Sequence, residues 1–219
     1  MTENFTTELL KKGVTLDKFM GDGFVALKKV EEGKSTFLEC MDALLNAQRS
    51  YFENTPTEAL LEFGIGISKG SAISRFQGNA VRMSCDHTSS KINEAARTES
   101  LTKNFQCVCL VHESCFEEEF EFNRRFVGKA QTKGSQEPFK VYQYLDFEFA
   151  NWFSKDYTQL FEKAVHAFCS EDYSIAKEKF DQCARLKPED KVARVYQEWL
   201  DKNSAQTLKA NNGCLVYVV

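Results

Sequence analysis

The segment D-K-F-M-G-D-G at residues 17–23 contains residue types that nucleotide chemistry uses. It places Lys18 four residues before Asp22, which stands between two glycines. An aspartate carboxylate is a ligand for hard divalent cations, and a lysine ammonium donates hydrogen bonds to phosphates or to base acceptors. Gly-Asp-Gly is also typical of an ordinary hairpin turn. The segment alone therefore does not decide the function.

A second polar segment, residues 85–103, carries three charged or amide side chains at fixed offsets. Asp86 is followed seven positions later by Asn93, and Arg97 comes four positions after Asn93 within I-N-E-A-A-R. A planar guanidinium with five donors suits charge that develops on a phosphate in a transition state. Polar residues four apart are also typical of the exposed face of a helix.

Hydrophobic periodicity predicts the elements that must position these side chains. Strand patterns and helix patterns both occur before residue 146, and only helix patterns follow it, up to residue 202. The mixture favours an α+β fold. The predicted strands are residues 14–20, 24–29, 60–67, 106–111, 126–130 and 139–145; the predicted helices are residues 5–12, 35–52, 89–101, 153–169, 173–186 and 189–202, with a further helix possible at 113–120 and either a strand or a tail at 214–219.

Composition restricts the class of protein. The 219 residues are 42% hydrophobic and 27% charged, with a net charge of −4, and no cluster of basic residues predicts nucleic-acid binding. Neither a secretory signal nor an apolar run of about 20 residues is present, so no membrane span is expected. Eight cysteines without a C-x-x-C pair indicate reduced thiols and a cytoplasmic location.

The two segments together resemble the class III adenylyl and guanylyl cyclase family. That family has a K-x-x-G-D hairpin, a purine-selecting residue seven positions before an asparagine, and the pattern N-x-A-x-R. The segments L-L-E-F-G-I-G-I-S-K-G and K-G-S-Q-E-P-F-K-V-Y-Q-Y-L-D also resemble the family, over residues 5–146 in all. The resemblance implies a ferredoxin-like cyclase domain.

The resemblance also implies roles for individual residues. Asp22 matches a ligand of one of two Mg²⁺ or Mn²⁺ ions. Asn93 matches the residue that orients the ribose, and Arg97 the residue that stabilises the transition state. Lys18 and Asp86 match the pair that selects adenine, and Lys133 matches a lysine that contacts the triphosphate, although a lysine in a turn is more often simply solvated.

The sequence departs from the family in three places. The family's first strand carries the other metal-binding aspartate in a pattern like F-x-D-x-x-G-F-T, and the 17 residues before Lys18 do not contain it. The domain at residues 1–146 is therefore expected to lack its first strand, as a truncated or a naturally short chain. Arg75 and Ser89 stand where the family has glycines.

After residue 146 the sequence changes character. Residues 147–202 resemble one tetratricopeptide-type helical hairpin, with Pro188 expected to start the last helix, and residues 203–219 are expected to be a linker and tail. One such unit is too short for a solenoid, so it is expected to pack on the domain before it.

Three functions are compatible with these features. The first is a signalling adenylyl cyclase that converts ATP to 3′,5′-cyclic AMP and pyrophosphate in a homodimer or heterodimer. The second is a catalytically incomplete regulatory or partner-complementing subunit. The third, resting on the tail alone, is a helical scaffold.

Overall fold

The structure is a computed structural model that describes residues 2–21, 23–30, 36–56, 62–79, 83–116, 123–132, 137–148, 153–202 and 215–217. Six α-helices, two short 3₁₀ helices and nine strands lie in these ranges. In chain order the α-helices and strands are α1 (Thr2–Lys11), β1 (Thr15–Met20), β2 (Gly23–Leu27), α2 (Thr36–Asn54), β3 (Ile65–Ile67), β4 (Ile73–Gly78), β5 (Met83–Thr88), α3 (Ser90–Phe105), β6 (Cys109–His112), β7 (Arg124–Thr132), β8 (Phe139–Tyr144), α4 (Lys155–Cys169), α5 (Tyr173–Leu186), α6 (Lys191–Lys202) and β9 (Leu215–Tyr217).

Contacts divide the chain into two units. The first unit comprises residues 1–63 and 70–92, and the second comprises residues 64–69 and 93–219. In the first unit, α1 and α2 pack with the antiparallel hairpin β1–β2. Its core contains Leu9, Val14, Ala43, Ala47 and Tyr51. The three α2 members are four residues apart, so they lie on one face of that helix.

Two glycines shape the entry to the β1–β2 hairpin and its turn. Gly13 ends α1 with a φ of +71°, and the backbone N–H of Val14 donates to the Leu9 carbonyl over 3.1 Å, which satisfies a carbonyl at the helix end. Gly21 has a φ of +65°, which L side chains rarely adopt, and it begins the turn after β1.

The second unit contains a five-stranded sheet in the order β3-β6-β8-β7-β9. β3 pairs parallel with β6, β8 pairs antiparallel with both β6 and β7, and β9 pairs parallel with β7. The final strand confirms the strand alternative for the end of the chain. All four residues of β6 are buried, as expected for a strand inside a sheet.

Helix α3 lies very close to β3 because two glycines allow it. A Cβ placed on Gly66 would lie 2.2 Å from the carbonyl oxygen of Ala95 and 2.2 Å from the backbone nitrogen of Glu99. A Cβ on Gly64 would lie 2.1 Å from Oγ1 of Thr102. Ala95, Glu99 and Thr102 therefore define the face of α3 that packs on β3.

Helices α4, α5 and α6 share one hydrophobic core with the sheet and with the end of α3. Phe161, Phe180 and Tyr196 belong to this core together with Leu110 and Val141. The rings of Phe180 and Tyr196 stack with centroids 4.5 Å apart. The expectation that these helices pack on the preceding elements agrees with this shared core, whereas the predicted domain boundary at residue 146 stays a prediction.

The structure refines several predicted elements. β3 begins only at Ile65, and α6 begins at Lys191, so Pro188 precedes the helix instead of starting it. Asp190 caps α6 by accepting from the backbone N–H of Val192 over 3.1 Å. The hairpin β4–β5 was not predicted. Among the described residues, no helix is long and apolar enough to cross a bilayer.

Candidate nucleotide-binding site

Lys18 lies on β1 next to an irregularity in the hairpin. Leu16 pairs with Ala26 and Lys18 pairs with Val25, so Asp17 is an extra residue without a partner on β2. Such a β-bulge redirects side chains. The Lys18 ammonium lies 3.4 Å from Oδ2 of Asp17, and its side chain is 44% exposed.

Asp86 lies in the middle of β5, where it pairs with Arg75 of β4. Its side chain is exposed. Successive side chains of a strand point to opposite faces, so Asp86 lies on the face of β5 opposite to Cys85 and His87. The carboxylate is therefore available to a ligand on that face.

β1 and β5 meet through one polar contact. Nδ1 of His87 lies 2.5 Å from Oδ1 of Asp17, whose side chain is only 2% exposed. This contact joins the strand of Lys18 to the strand of Asp86 within the first unit. Within the described part of the chain, Lys18 forms an ion pair with Asp17 and not with Asp86. The two predicted base-selecting residues therefore lie on adjoining strands without a direct ion pair.

Asn93 and Arg97 occupy one face of α3. Successive residues of a helix are about 100° apart, so these two residues lie about 160° and 200° around the helix from Ala95. Ala95 belongs to the face that packs on β3, and Asn93 and Arg97 therefore point away from that strand. Asn93 is exposed and Arg97 is half-buried. Both residues belong to the second unit.

The two positions where the family has glycine keep regular backbone. Arg75 lies in β4 in register with Asp86 and has no positive φ. Ser89 caps α3, because its Oγ accepts from the backbone N–H of Lys91 over 3.0 Å and donates to the Ser71 carbonyl over 2.6 Å. The loss of glycine thus causes no strain at either position.

Comparison with known proteins finds similarity to cyclases. The chain is 25% identical over 193 residues to "Adenylate cyclase, terminal-differentiation specific" of Dictyostelium discoideum, which covers 84% of this chain but only 9% of that protein. The structure of a bacterial light-regulated adenylyl cyclase aligns with 73% of this chain, and the alignment covers 47% of the chain in that structure. The TM-score is 0.54 and the identity is 21%. The chain therefore shares its fold with cyclase structures. The structure of the guanylyl cyclase Cya2 aligns with 70% of this chain, and the alignment covers 80% of the chain in that structure. The TM-score is 0.52 and the identity is 20%.

No protein-family model matches the chain. The chain spans only 9% of the length of the curated relative that it matches. The resemblance of residues 147–202 to a tetratricopeptide unit stays a prediction.

Two predicted site residues, Asp22 and Lys133, lie outside the described residues. Within the described ranges, no group of three or more His, Cys, Asp or Glu side chains could hold a metal ion. The roles predicted for Asp22 and Lys133 stay predictions.

Sequence reasoning did not identify Asp17, His87 or Cys85 as members of a polar cluster. Cys85 Sγ lies 4.0 Å from Nε2 of His87. The available signal was the alternation in M-S-C-D-H-T, which predicts Cys85 and His87 on one face once this segment is assigned as a strand.

Proposed function

We propose that the chain is an adenylyl cyclase catalytic domain that takes part in the conversion of ATP to 3′,5′-cyclic AMP and pyrophosphate. The observation that supports it most is the contact between Asp17 and His87, which holds the strand of Lys18 beside the strand of Asp86. Residues that read one base must lie on neighbouring elements, and they need no direct contact because the base lies between them.

The proposed preference for ATP follows from the hydrogen-bonding chemistry of these two side chains. A lysine ammonium donates to a ring nitrogen of the purine, and an aspartate carboxylate accepts from the 6-amino group of adenine. Guanine presents a carbonyl oxygen at position 6, which the carboxylate repels. Lys18 and Asp86 are both accessible, as a base-reading pair must be.

The proposed catalytic side chains are Asn93 and Arg97. Cyclization requires the ribose 3′-hydroxyl to attack the α-phosphate in line while pyrophosphate leaves, so negative charge spreads over the phosphate oxygens. In this proposal Asn93 orients the ribose and Arg97 donates to those oxygens. Their position on the face of α3 away from β3 leaves both side chains able to meet a substrate.

Divalent cations, Mg²⁺ or Mn²⁺, belong to the proposed reaction. When bound, they would lower the cost of deprotonating the 3′-hydroxyl and neutralise charge on the phosphates. Asp22 is the proposed ligand within this chain, and Lys133 is proposed to contact the triphosphate. The sequence contains the K-x-x-G-D motif but not F-x-D-x-x-G-F-T, so the second aspartate has to come from a preceding segment or from another chain.

Exposed apolar side chains in the first unit support the proposed pairing with a second cyclase domain. Phe19 and Met20 on β1 are 62% and 57% exposed, and Ile73 and Phe76 on β4 are 61% and 75% exposed. Exposed large apolar side chains are candidates for contacts with a partner. A homodimer or heterodimer would bury them.

An alternative function is a cyclase-like subunit that binds nucleotide or complements a complete partner without turnover of its own. The motifs of the sequence favour this alternative as strongly as they favour an active homodimer. The residues Lys18, Asp86, Asn93 and Arg97 are present, but one of the two metal-binding motifs is not. In this alternative the chain supplies the base-selecting and transition-state residues, while the partner supplies both metal ligands.

A complementation assay tests the proposal. The full chain is mixed with a class III cyclase domain that has both metal aspartates but carries alanine at its own asparagine and arginine positions, and cyclic AMP formation from ATP is measured with Mg²⁺ or Mn²⁺. Turnover can then arise only if this chain contributes Asn93 and Arg97. The matched control is the same mixture with Arg97→Ala.

Each result of this assay has a defined meaning. Cyclic AMP from the chain alone supports the homodimeric cyclase, and cyclic AMP only from the mixture supports the complementing subunit. If neither the mixture nor a version extended by its upstream sequence forms cyclic AMP, the proposed catalytic function is wrong. Binding of ATP without turnover would leave nucleotide binding as the function.

A further inference from the structure

Three side chains of the first unit form a continuous polar chain, of which the proposed cyclase function uses only the Asp17–His87 contact, as a link between two strands. Sγ of Cys85 lies 4.0 Å from Nε2 of His87, and Nδ1 of His87 lies 2.5 Å from Oδ1 of Asp17. The order is thiol, imidazole, carboxylate. In this order a histidine can accept the thiol proton while the carboxylate holds the ring in place.

Local backbone structure explains why the three groups meet. Cys85 and His87 are two residues apart on β5, so they share one face of the strand. The bulge in β1 leaves Asp17 without a pairing partner on β2, and its carboxylate contacts His87. Neither feature requires a bound ligand, so the arrangement belongs to the fold of this unit.

The carboxylate of Asp17 is buried and only partly satisfied. Its side chain is 2% exposed, and its Oδ2 atom has no hydrogen-bond partner among the described residues. The Lys18 ammonium lies 3.4 Å from Oδ2, within ion-pair distance but outside hydrogen-bond geometry. The contact of this buried carboxylate with Nδ1 of His87 holds the imidazole ring with Nε2 on the side of Cys85.

Within the described residues of the β4–β5 hairpin, two further side chains are charged. Asp86 lies between Cys85 and His87 on the opposite face of β5, and Arg75 lies across from it on β4. Cys85 itself pairs with Phe76 of β4, whose side chain is 75% exposed. The thiol is therefore open to small molecules from solvent.

The remaining described cysteines are in different surroundings. Cys107, Cys109, Cys115 and Cys183 are buried, and Cys40 and Cys169 are half-buried, whereas Cys85 is exposed. Burial raises the pKa of the Cys40 thiol to about 11 and that of the Cys183 thiol to about 12. Because the thiolate is the reactive form, these two thiols are expected to react slowly.

We propose that Cys85, His87 and Asp17 form a reactive-thiol site that takes small electrophiles of the hydroperoxide class. The Cys85 proton moves to Nε2 of His87, and the thiolate sulfur attacks one oxygen of the peroxide. The S–O bond forms as the O–O bond breaks, so sulfur is oxidised by two electrons to the sulfenic acid. The released hydroxide, or the alkoxide from an organic hydroperoxide, takes the proton from His87 and leaves as water or as an alcohol.

Site-resolved labelling of the full chain tests the proposal without any mutation. The reduced protein is treated with a pulse of hydrogen peroxide plus dimedone, which traps sulfenic acid, and the rate at each cysteine is read by mass spectrometry, once in buffer and once in urea. Cys85 is expected to react at least about tenfold faster in the folded chain than in the unfolded chain. Cys40 and Cys183 are expected to show the reverse, because burial protects them.

Substitutions then assign the effect to the neighbouring groups. His87→Gln and Asp17→Asn are each expected to lower the folded-state rate at Cys85 about tenfold, whereas His166→Gln, on a histidine of the second unit, leaves it unchanged. The proposal is overturned if Cys85 reacts no faster in the folded than in the unfolded chain. It is also overturned if the folded His87→Gln variant reacts as fast as the parent. Neither outcome depends on cyclase activity.

Discussion

The guanidinium of Arg125 on β7 forms a bidentate ion pair with the carboxylate of Asp190, the residue that caps α6. Nη1 lies 2.5 Å from Oδ2, and Nη2 lies 2.8 Å from Oδ1. The Tyr157 hydroxyl donates to Oδ2 over 2.6 Å, and Gln143 accepts from Nε of Arg125 over 2.8 Å. The pair thus joins the sheet to two of the helices that follow it, with every polar contact made inside the core.

Asp190→Asn is expected to destabilise the second unit strongly. Arg125 is fully buried, and its charge would lose its partner, at a cost of about 3–5 kcal/mol in the free energy of unfolding. Chemical denaturation measures this. The control is Asp201→Asn, which removes the exposed pair with Lys177 and is expected to cost at most about 1 kcal/mol. An equal decrease in the free energy of unfolding in both variants would show that the buried pair stabilises the fold no more than the exposed pair does.

The same carboxylate predicts a specific pH dependence. Burial alone would raise the pKa of Asp190, but the charge of Arg125 and the hydrogen bonds from Arg125 and Tyr157 outweigh it and hold the pKa below the ordinary value of 3.8. The stabilisation of the folded state by the ionised carboxylate is therefore complete above about pH 4. It is lost as the pH falls through the pKa that Asp190 has in the folded state. The stability difference between the parent and Asp190→Asn should narrow below pH 4 in denaturation curves. A constant difference down to pH 2 would contradict this.

Gly66→Ala is expected to disrupt the packing of α3 on β3. The new Cβ would meet backbone atoms of Ala95 and Glu99 at 2.2 Å, and backbone cannot move aside as a flexible side chain can. The expected decrease in the free energy of unfolding is at least about 1–3 kcal/mol. Gly23→Ala is the matched control, since the nearest atom to its Cβ is 3.7 Å away. Thermal unfolding of the two variants gives the comparison.

The order of secondary structure could be predicted from the sequence where apolar residues repeat regularly. Helices α2, α4 and α5 follow such repeats closely. The hairpin β4–β5 could not be predicted this way, because Ile73 and Phe76 are exposed and the strands lack the alternation of a half-buried sheet. The Arg125–Asp190 pair joins residues 65 positions apart, and sequence spacing does not reveal contacts of that range.

The candidate site was predictable in part. Its residue types and offsets are local, so Lys18, Asp86, Asn93 and Arg97 could be selected from spacing alone. The contact of Asp17 with His87 depends on a bulge, and a one-residue irregularity in a strand has no clear signal in the sequence.

Arg97→Ala is expected to lower kcat about 10²-fold or more in any combination of chains that forms cyclic AMP, with a much smaller change in nucleotide affinity. A contact made mainly with transition-state charge affects the rate and not ground-state binding. Steady-state kinetics together with ATP binding separates the two quantities. Lys103→Ala, an exposed cation near the end of the same helix, is the control and should change neither. Weaker ATP binding at an unchanged kcat would contradict the proposed role of Arg97.

Lys18→Glu combined with Asp86→Cys is expected to shift the preference from ATP towards GTP. A glutamate can accept from N1–H and the 2-amino group of guanine, and removal of the Asp86 carboxylate ends its repulsion of the 6-carbonyl. Each mismatched buried polar group costs about 1–3 kcal/mol, so the change in relative affinity should be measurable. The carboxylate introduced at residue 18 lies beside that of Asp17, so circular dichroism first checks that the variant is folded. Competition between ATP and GTP, by turnover or by binding under reducing conditions, gives the preference, and each single substitution is the matched control. If the folded double variant keeps the purine preference of the parent, Lys18 and Asp86 do not read the base.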